Sequence, residues 1–130
     1  MERFAETAAR IASHPGKLEK VELLAQYFRT LDDADLLAAA RFFTGSPFAA
    51  RDSRTLSVGG RTIVEAARRV WGFDDAALGG AYRATGDLGA ALATLVRPPR
   101  AATLFAEHLT PAILETHFGE IAAASGKRSN

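Results

Sequence analysis

Apolar residues recur at helical spacing along almost the whole chain, and this pattern constrains the fold more than any other feature. Phe4, Ala8 and Ile11 follow the i, i+4, i+7 rule of one helix face. The same spacing returns in later segments, and no alternation of apolar and polar residues is long enough for a strand. The sequence therefore predicts an all-α fold of about seven short helices, organised as a single domain over residues 1–130.

Glycine, proline and capping residues separate the predicted helices. The expected boundaries in chain order are His14-Pro15-Gly16, Thr30 to Asp33, Gly45, the irregular segment 45–57, Gly72, Asp74, the turn 85–89, Arg97-Pro98-Pro99, Thr110-Pro111 and Gly126. The spacing also predicts which apolar residues face the core. These include Leu18, Val21, Leu24 and Phe28; Leu36, Leu37, Ala40 and Phe43; Phe48 and Leu56; and Ile63, Ala67, Val70, Trp71 and Phe73.

Composition narrows the class of protein. The 130 residues are 48% hydrophobic and 24% charged, which is ordinary for a globular domain with its own core. The chain has no cysteine, which excludes disulfides, thiolate metal sites and a cysteine nucleophile and fits a reducing cytoplasm. No apolar run approaches the roughly 20 residues of a membrane span, and the N-terminus lacks a signal-peptide core. We therefore expect a cytoplasmic protein with no membrane partner.

The basic residues are unevenly distributed, although the net charge is only +1. Arginine outnumbers lysine by 13 to 3, and arginine is the side chain that forks onto phosphate oxygens. Six arginines but only two acids lie between Arg41 and Arg69. This stretch predicts one positive face, while a genome rich in G and C would favour arginine and alanine without any such role.

Known catalytic patterns are absent from the sequence. The histidines, His14, His108 and His117, lack the spacing of a zinc site, and no nucleophile elbow or triphosphate-binding loop is present. The acids Asp32, Asp33 and Asp35 are interpreted as a charge cluster at a helix N-terminus rather than a cation site. We predict no catalytic residue and no metal site.

Two glycine turns at predicted helix starts are the most informative local features. The first contains Gly59, Gly60, Arg61 and Thr62, and the second contains Gly86, Asp87 and Gly89. A helix N-terminus exposes unpaired N–H groups with partial positive charge, and glycine lets a phosphate approach the backbone closely. Such contacts hold DNA without reading its sequence. Plain capping turns would have the same glycines, so both interpretations stay open at this point.

Lys17 and Lys20 lie one turn apart at the start of the second predicted helix. Lysines oppose the dipole at that end of a helix, and a phosphate partner would relieve the conflict. They can equally be solvated residues of an exposed face.

The order of these features resembles the N-terminal DNA-binding domain of ATP-dependent DNA ligases along nearly the whole chain. The segments that carry the resemblance are FAETAARIASHPGKLEKVELLAQYFRTL, ARFFTGSPF, LSVGGRTI, TGDLGAAL and LTPAILETHFGEIAAASGKRS. Two departures from the family pattern are Pro15-Gly16, where small hydroxyl residues are usual, and the doublet Gly59-Gly60. The resemblance implies a helical domain that lies across the minor groove at a nick and holds double-stranded or nicked DNA through phosphates. The implied DNA-binding residues are Lys17, Lys20, Gly59, Gly60, Arg61, Thr62, Gly86, Asp87, Gly89, Lys127, Arg128 and Ser129.

The resemblance also implies what this chain lacks. None of Lys17, Lys20 and Lys127 begins the Lys-x-Asp-Gly motif of the adenylated lysine. We therefore expect no cofactor and no catalysis in this domain, with ATP and a divalent metal serving the parent ligase. Its expected partners are DNA and the catalytic domains of the same chain, in the nucleoid of a bacterium. The polar ending at Asn130 suggests a truncated piece of a longer ligase. A small helical protein–protein interaction domain is the alternative.

Overall fold

A computed structural model describes residues 1–96 and 108–126, and the regular structure in those ranges is entirely helical. The helices are α1 (Glu2–Ser13), α2 (Lys17–Phe28), α3 (Asp33–Phe43), α4 (Gly60–Trp71), α5 (Asp75–Thr85), α6 (Leu88–Leu95) and α7 (Pro111–Gly126). The predicted all-α class and the expected number of helices are confirmed for the described residues. None of the described helices is long and apolar enough to cross a membrane.

Most of the predicted helix boundaries are confirmed, because each rests on a local preference of the backbone. Gly45, Gly72 and Gly86 adopt left-handed φ angles of 82°, 65° and 67°, which cost a residue with a Cβ more than they cost glycine. Asp74 caps α5 by accepting a hydrogen bond from the amide of Ala77 at 2.7 Å. The predicted break at residues 97–99 lies outside the described residues, although α6 ends at Leu95 as expected.

The chain divides into two compact units. The first unit comprises Met1–Ser57 and Glu107–Asn130, and the second comprises Val58–Ala106. In the first unit α1 packs on α2 and α3 packs on α7. An aromatic cluster fills its core, with the rings of Phe4 and Phe43 only 4.4 Å apart between centroids. The cluster also includes Tyr27, Phe28, Phe42 and Phe118.

Two polar contacts fasten α7 to α3 within the first unit. The backbone amide of Ala112 donates a hydrogen bond to Oδ1 of Asp35 at 2.9 Å, so an acid of α3 caps the start of α7. One helical turn further along, Arg41 and Glu115 form an ion pair of 2.8 Å. Since both contacts join residues far apart in the chain, they determine which face α7 presents to α3.

The second unit is a small assembly of α4, α5 and α6. Helix α5 packs closely on α6, and α6 also contacts α4. Ala67 and Ala91 are buried here, and small side chains let the helix backbones approach each other. A Cβ on Gly60 would lie 3.6 Å from Cδ2 of Leu88, so the first turns of α4 and α6 are neighbours in this unit.

The predicted buried faces of α2, α3 and α4 are partly wrong. Leu18 and Val21 are 86% and 55% exposed, whereas Leu23 and Tyr27 are buried. The buried stripe of α2 is rotated by about one residue because the amphipathic Tyr27 packs inward beside Leu23. On α3, the predicted core residues Leu37 and Ala40 are exposed, and Ala38 and Ala39 are buried instead. The small side chains of these alanines permit a close approach of α7. The predicted core residues Ile63, Val70 and Trp71 of α4 are also exposed.

Candidate nucleic-acid interface

The start of α4 has unpaired backbone amides at the protein surface. Gly59 is its N-cap residue, with φ of −87° and ψ of 168°, and no side chain caps the helix. The amides of Thr62 and Ile63 bond to the carbonyl of Gly59 at 3.1 and 3.2 Å. The preceding amides of Gly60 and Arg61 have no partner among the described residues. Two N–H donors and the positive end of the helix dipole therefore point outward, where an anion can bind.

Helix α4 differs in this respect from every other helix of the described ranges. Asp32, Asp74 and Asp87 cap α3, α5 and α6 with their carboxylates. Helices α1 and α2 each carry a glutamate in the first turn, and α7 is capped by Thr110 and Asp35. Helix α4 alone begins with glycine and has no acid in its first turn. The negative charge that usually stabilises a helix start is missing here.

The side chains next to this helix start can add to an anion site. Arg61 and Thr62 are both exposed in the first turn of α4 and can supply a guanidinium and a hydroxyl group. Gly59 and Gly60 are exposed too, and a Cβ on Gly59 would meet nothing within 4 Å. The glycine at position 59 is therefore not required by packing.

Ion pairs reduce the positive face that the arginine-rich stretch predicts. Four of its six arginines lie next to carboxylates: Arg41 with Glu115, Arg54 with Asp52, Arg68 with Glu65 and Asp75, and Arg69 with Glu65. Of these six, Arg51 and Arg61 are the two that form no ion pair with an acid of the described residues. The available positive charge is therefore more local than the sequence indicates, and it includes the start of α4.

The second glycine turn has a different geometry. Gly86 ends α5 in the left-handed conformation, and its amide donates to the carbonyl of Tyr82 at 2.8 Å. The carboxylate of Asp87 then accepts hydrogen bonds from the amides of Gly89 and Ala90, both at 3.2 Å. This carboxylate takes the position that a phosphate would need at the start of α6. The structure therefore favours the capping interpretation for these amides.

The start of α2 is less open to an anion than the start of α4 and less fully capped than the start of α6. Gly16 is its N-cap without a side-chain hydrogen bond, but the carboxylate of Glu19 folds back into the space beside Gly16. This acid offsets part of the conflict between the helix dipole and the two lysines. Lys17 is exposed and Lys20 is half-buried, so Lys17 is the more accessible of the pair. The remaining predicted site residues, Lys127, Arg128 and Ser129, lie outside the described residues.

The acid cluster at the start of α3 acts as a set of helix caps. Oδ1 of Asp32 accepts from the amide of Asp35 at 2.8 Å, and Asp35 caps α7. No group of three potential ligands able to hold a metal ion occurs among the described residues. His14 bonds to the carbonyl of Arg10 at 2.6 Å, and His117 pairs with Glu120 at 3.2 Å. The contacts of Asp32 and Asp35 agree with the interpretation of these acids as helix caps.

One polar group in the loop between α3 and α4 was not anticipated from the sequence. Arg54 pairs with Asp52 at 2.7 Å and lies over the ring of Phe48, 4.5 Å from its centroid. Hydrogen bonds from Arg54 lower the pKa of Asp52, and the same contact raises the pKa of Arg54. The Asp-x-Arg spacing was the available signal. This arginine anchors the loop to the buried Phe48.

The architecture and surface of the described residues define a helical module with one open, basic helix start. A family model described as DNA ligase N terminus matches residues 1–130. The chain is 34% identical over 131 residues to a DNA ligase of Methanothrix thermoacetophila and 31% identical over 127 residues to one of Archaeoglobus fulgidus. It is 31% identical over 128 residues to a probable DNA ligase of Koribacter versatilis.

These alignments cover 97–98% of this chain but only 21–23% of the relatives. No solved structure gave a significant match. The chain belongs to the DNA ligase N-terminal family, and it spans less than a quarter of the length of the curated relatives it matches.

Proposed function

We propose that this chain binds the phosphate backbone of double-stranded DNA, nicked DNA included, as the non-catalytic N-terminal domain of an ATP-dependent DNA ligase. The observation that carries the proposal is the start of α4, the one described helix with neither a side-chain cap nor an acid in its first turn. Family membership supplies the nucleic-acid context for this site.

The proposed contact uses three kinds of donor on one phosphate. The amides of Gly60 and Arg61 donate hydrogen bonds along the helix axis, where the dipole favours negative charge. The guanidinium of Arg61 adds a charge-assisted hydrogen bond, and the hydroxyl of Thr62 is a further donor. None of these groups reads a base edge, so binding is expected to tolerate any sequence.

The second glycine turn has a supporting role in this proposal. Asp87 would repel a phosphate, but it fixes α6 through the amides of Gly89 and Ala90. Leu88 then packs beside Gly60 and holds the first turn of α4 in place. We propose that Gly86, Asp87 and Gly89 act mainly by positioning, while Lys17 and Lys20 provide charge on the first unit. The tail residues Lys127, Arg128 and Ser129 stay a sequence-based prediction.

Catalysis is assigned to other parts of the parent ligase, which would bind ATP and a divalent metal. The lysines of this chain lack the Lys-x-Asp-Gly motif of the family's adenylated residue. Incubation with radiolabelled ATP and magnesium should therefore leave this chain without covalent AMP. Stable labelling of any lysine would contradict the non-catalytic assignment.

A salt titration tests the binding proposal. Fluorescence anisotropy would follow a labelled nicked duplex, its intact counterpart and a duplex of scrambled sequence. The affinity should be similar for all sequences and should fall with salt, with a slope of about −0.9 for each phosphate contacted. Absence of binding at low salt, or binding that does not depend on salt, would refute the proposal.

The alternative function is protein–protein interaction, and the exposed apolar residues Leu18 and Val21 on α2 favour it. Exposed apolar surface of this kind can dock a partner, including another domain of the parent ligase. The titration separates the two functions, because a pure interaction domain would leave DNA unbound at every salt concentration.

A further inference from the structure

A polar pocket between α1 and α2 has basic side chains that nothing else in the first unit uses. The pocket measures about 150 Å³ and is lined by Arg3, Glu6, Thr7, Arg10, Leu23, Gln26 and Tyr27. Thr7, Leu23 and Tyr27 are buried and form its floor, whereas the charged residues and Gln26 are exposed around its rim.

The two arginines of the rim lack the acidic partners that neutralise most other arginines of the first unit. Arg29, Arg41 and Arg54 each form an ion pair. Arg3 and Arg10 have no carboxylate oxygen within 4.0 Å of a guanidinium nitrogen in the described ranges. Glu6 follows Arg3 by three residues and precedes Arg10 by four, a spacing that favours pairing on a helix. Both guanidinium groups nevertheless stay unpaired and available to a ligand.

The groups around the pocket are suited to an anion. Arg3 and Arg10 are seven residues apart on α1, so their backbones are separated by about 10 Å along the helix and flank the opening from both ends. Gln26 adds a side-chain amide from α2, and its nitrogen also donates to Oε1 of Glu22 at 3.3 Å. Burial, followed by the charge of Asp35, raises the pKa of Tyr27, so its hydroxyl stays protonated and adds no negative charge. With Glu6 as the only acid, the lining carries a net positive charge.

We propose that this pocket binds one backbone phosphate of DNA through Arg3 and Arg10, as a contact on the first unit additional to the start of α4. The assignment rests on the proposed function. Arginine is the residue best suited to fork onto phosphate oxygens, and amide and hydroxyl groups commonly complete such contacts. Because Arg3, Arg10 and Gln26 are exposed, a phosphate can enter while it is still part of a polymer.

The test compares Arg10→Gln and the double variant Arg3→Gln/Arg10→Gln with Arg29→Gln. The last removes the same charge from an exposed arginine that is already paired with Glu22 at 3.7 Å. Affinity for a nicked duplex is measured at four or more salt concentrations on the whole 130-residue chain. Circular dichroism and the melting temperature show whether each variant keeps its fold. Should the double variant unfold, Arg10→Gln alone decides, because Arg10 is exposed near the end of α1.

The double variant is expected to bind roughly ten times more weakly than the wild type, with a salt slope shallower by about 0.9. Arg10→Gln should give part of this loss, and Arg29→Gln should stay within about twofold of the wild type. If the folded double variant matches Arg29→Gln in affinity and slope, the site is refuted while the proposed function stands. If the wild type itself fails to bind DNA, the proposed function is refuted and this site with it.

Discussion

Replacing Gly59 by aspartate should change stability and DNA affinity in opposite directions. Aspartate is a better N-cap than glycine by a few tenths of a kcal/mol, and a carboxylate at a helix N-terminus adds about 0.3–1 kcal/mol. The same carboxylate would occupy the position proposed for the phosphate. Asp87 accepts from the amides two and three residues ahead of it, so a carboxylate at position 59 would accept from the amides of Arg61 and Thr62. Helix stability and DNA binding therefore compete for the amide of Arg61 and for the space in front of it.

The structure shows that the substitution can be accommodated. A Cβ at position 59 meets nothing within 4 Å, and the φ of −87° suits any residue. Asp87 shows the expected result within the same unit, since its carboxylate caps α6 through two hydrogen bonds of 3.2 Å. A net gain of about 0.5 kcal/mol corresponds to a melting temperature roughly 2 °C higher for a chain of this size. Loss of one charge-assisted phosphate contact should weaken DNA binding roughly tenfold.

Thermal unfolding followed by circular dichroism and anisotropy with a nicked duplex measure the two effects. Gly59→Asn is the matched control, because asparagine caps a helix as well as aspartate does but carries no charge. It should gain only the capping contribution of a few tenths of a kcal/mol, and it should lose less affinity than Gly59→Asp. A more stable Gly59→Asp variant with unchanged affinity would refute the phosphate site at α4.

Four further substitutions test the left-handed glycines, the Arg54–Asp52 contact and the exposed face of α2. Gly86→Ala and Gly72→Ala should each cost about 1–2 kcal/mol of stability, since both glycines are left-handed. DNA affinity should fall further for Gly86→Ala because its turn supports α4. Equal DNA affinities of the two variants would refute the supporting role of the Gly86 turn. The lowered pKa of Asp52 means that its contribution to stability is present above its unfolded pKa of about 4 and is lost as pH falls through the folded value. In Arg54→Gln, an NMR titration should show this pKa rising toward the ordinary value, and an unchanged pKa would contradict the assignment. Leu18→Ser should alter stability by no more than about 0.5 kcal/mol, because Leu18 is 86% exposed, and a larger loss would place it in the core.

Helix boundaries could be predicted from the sequence because their causes are local. A glycine with positive φ, as at Gly45 and Gly72, or an aspartate that caps three residues ahead, as at Asp74, acts within one turn of the chain. These signals do not depend on the rest of the fold. For the same reason the family motifs, which are short turns in a fixed order, were recognisable.

Buried faces could not be predicted as well, because they depend on partners that are distant in the chain. The apolar spacing of α2 is satisfied by Leu18 and Val21, yet the core of the first unit is an aromatic cluster that draws Tyr27 inward. On α3, alanines are buried in place of Leu37 because α7 packs closely there. Spacing identifies a helix but does not choose between two adjacent faces that both contain apolar residues.

The candidate site was predicted in outline only, since long-range contacts decide which groups are free. The sequence indicated two equivalent glycine turns, but hydrogen bonds to Asp87 occupy the second and leave the first open. It also indicated an arginine-rich face, most of which is neutralised by partners such as Glu115, 74 positions after Arg41. No short sequence pattern indicates an ion pair between residues so far apart in the chain.

The most direct test of the central claim is an NMR titration of ¹⁵N-labelled protein with a nicked DNA duplex. The amide resonances of Gly60 and Arg61 should shift strongly on binding and return toward their free positions as salt is added. The amides capped by Asp32 and Asp74 in other helices should move little. Binding that leaves Gly60 and Arg61 unshifted would contradict the claim that the open start of α4 holds a phosphate.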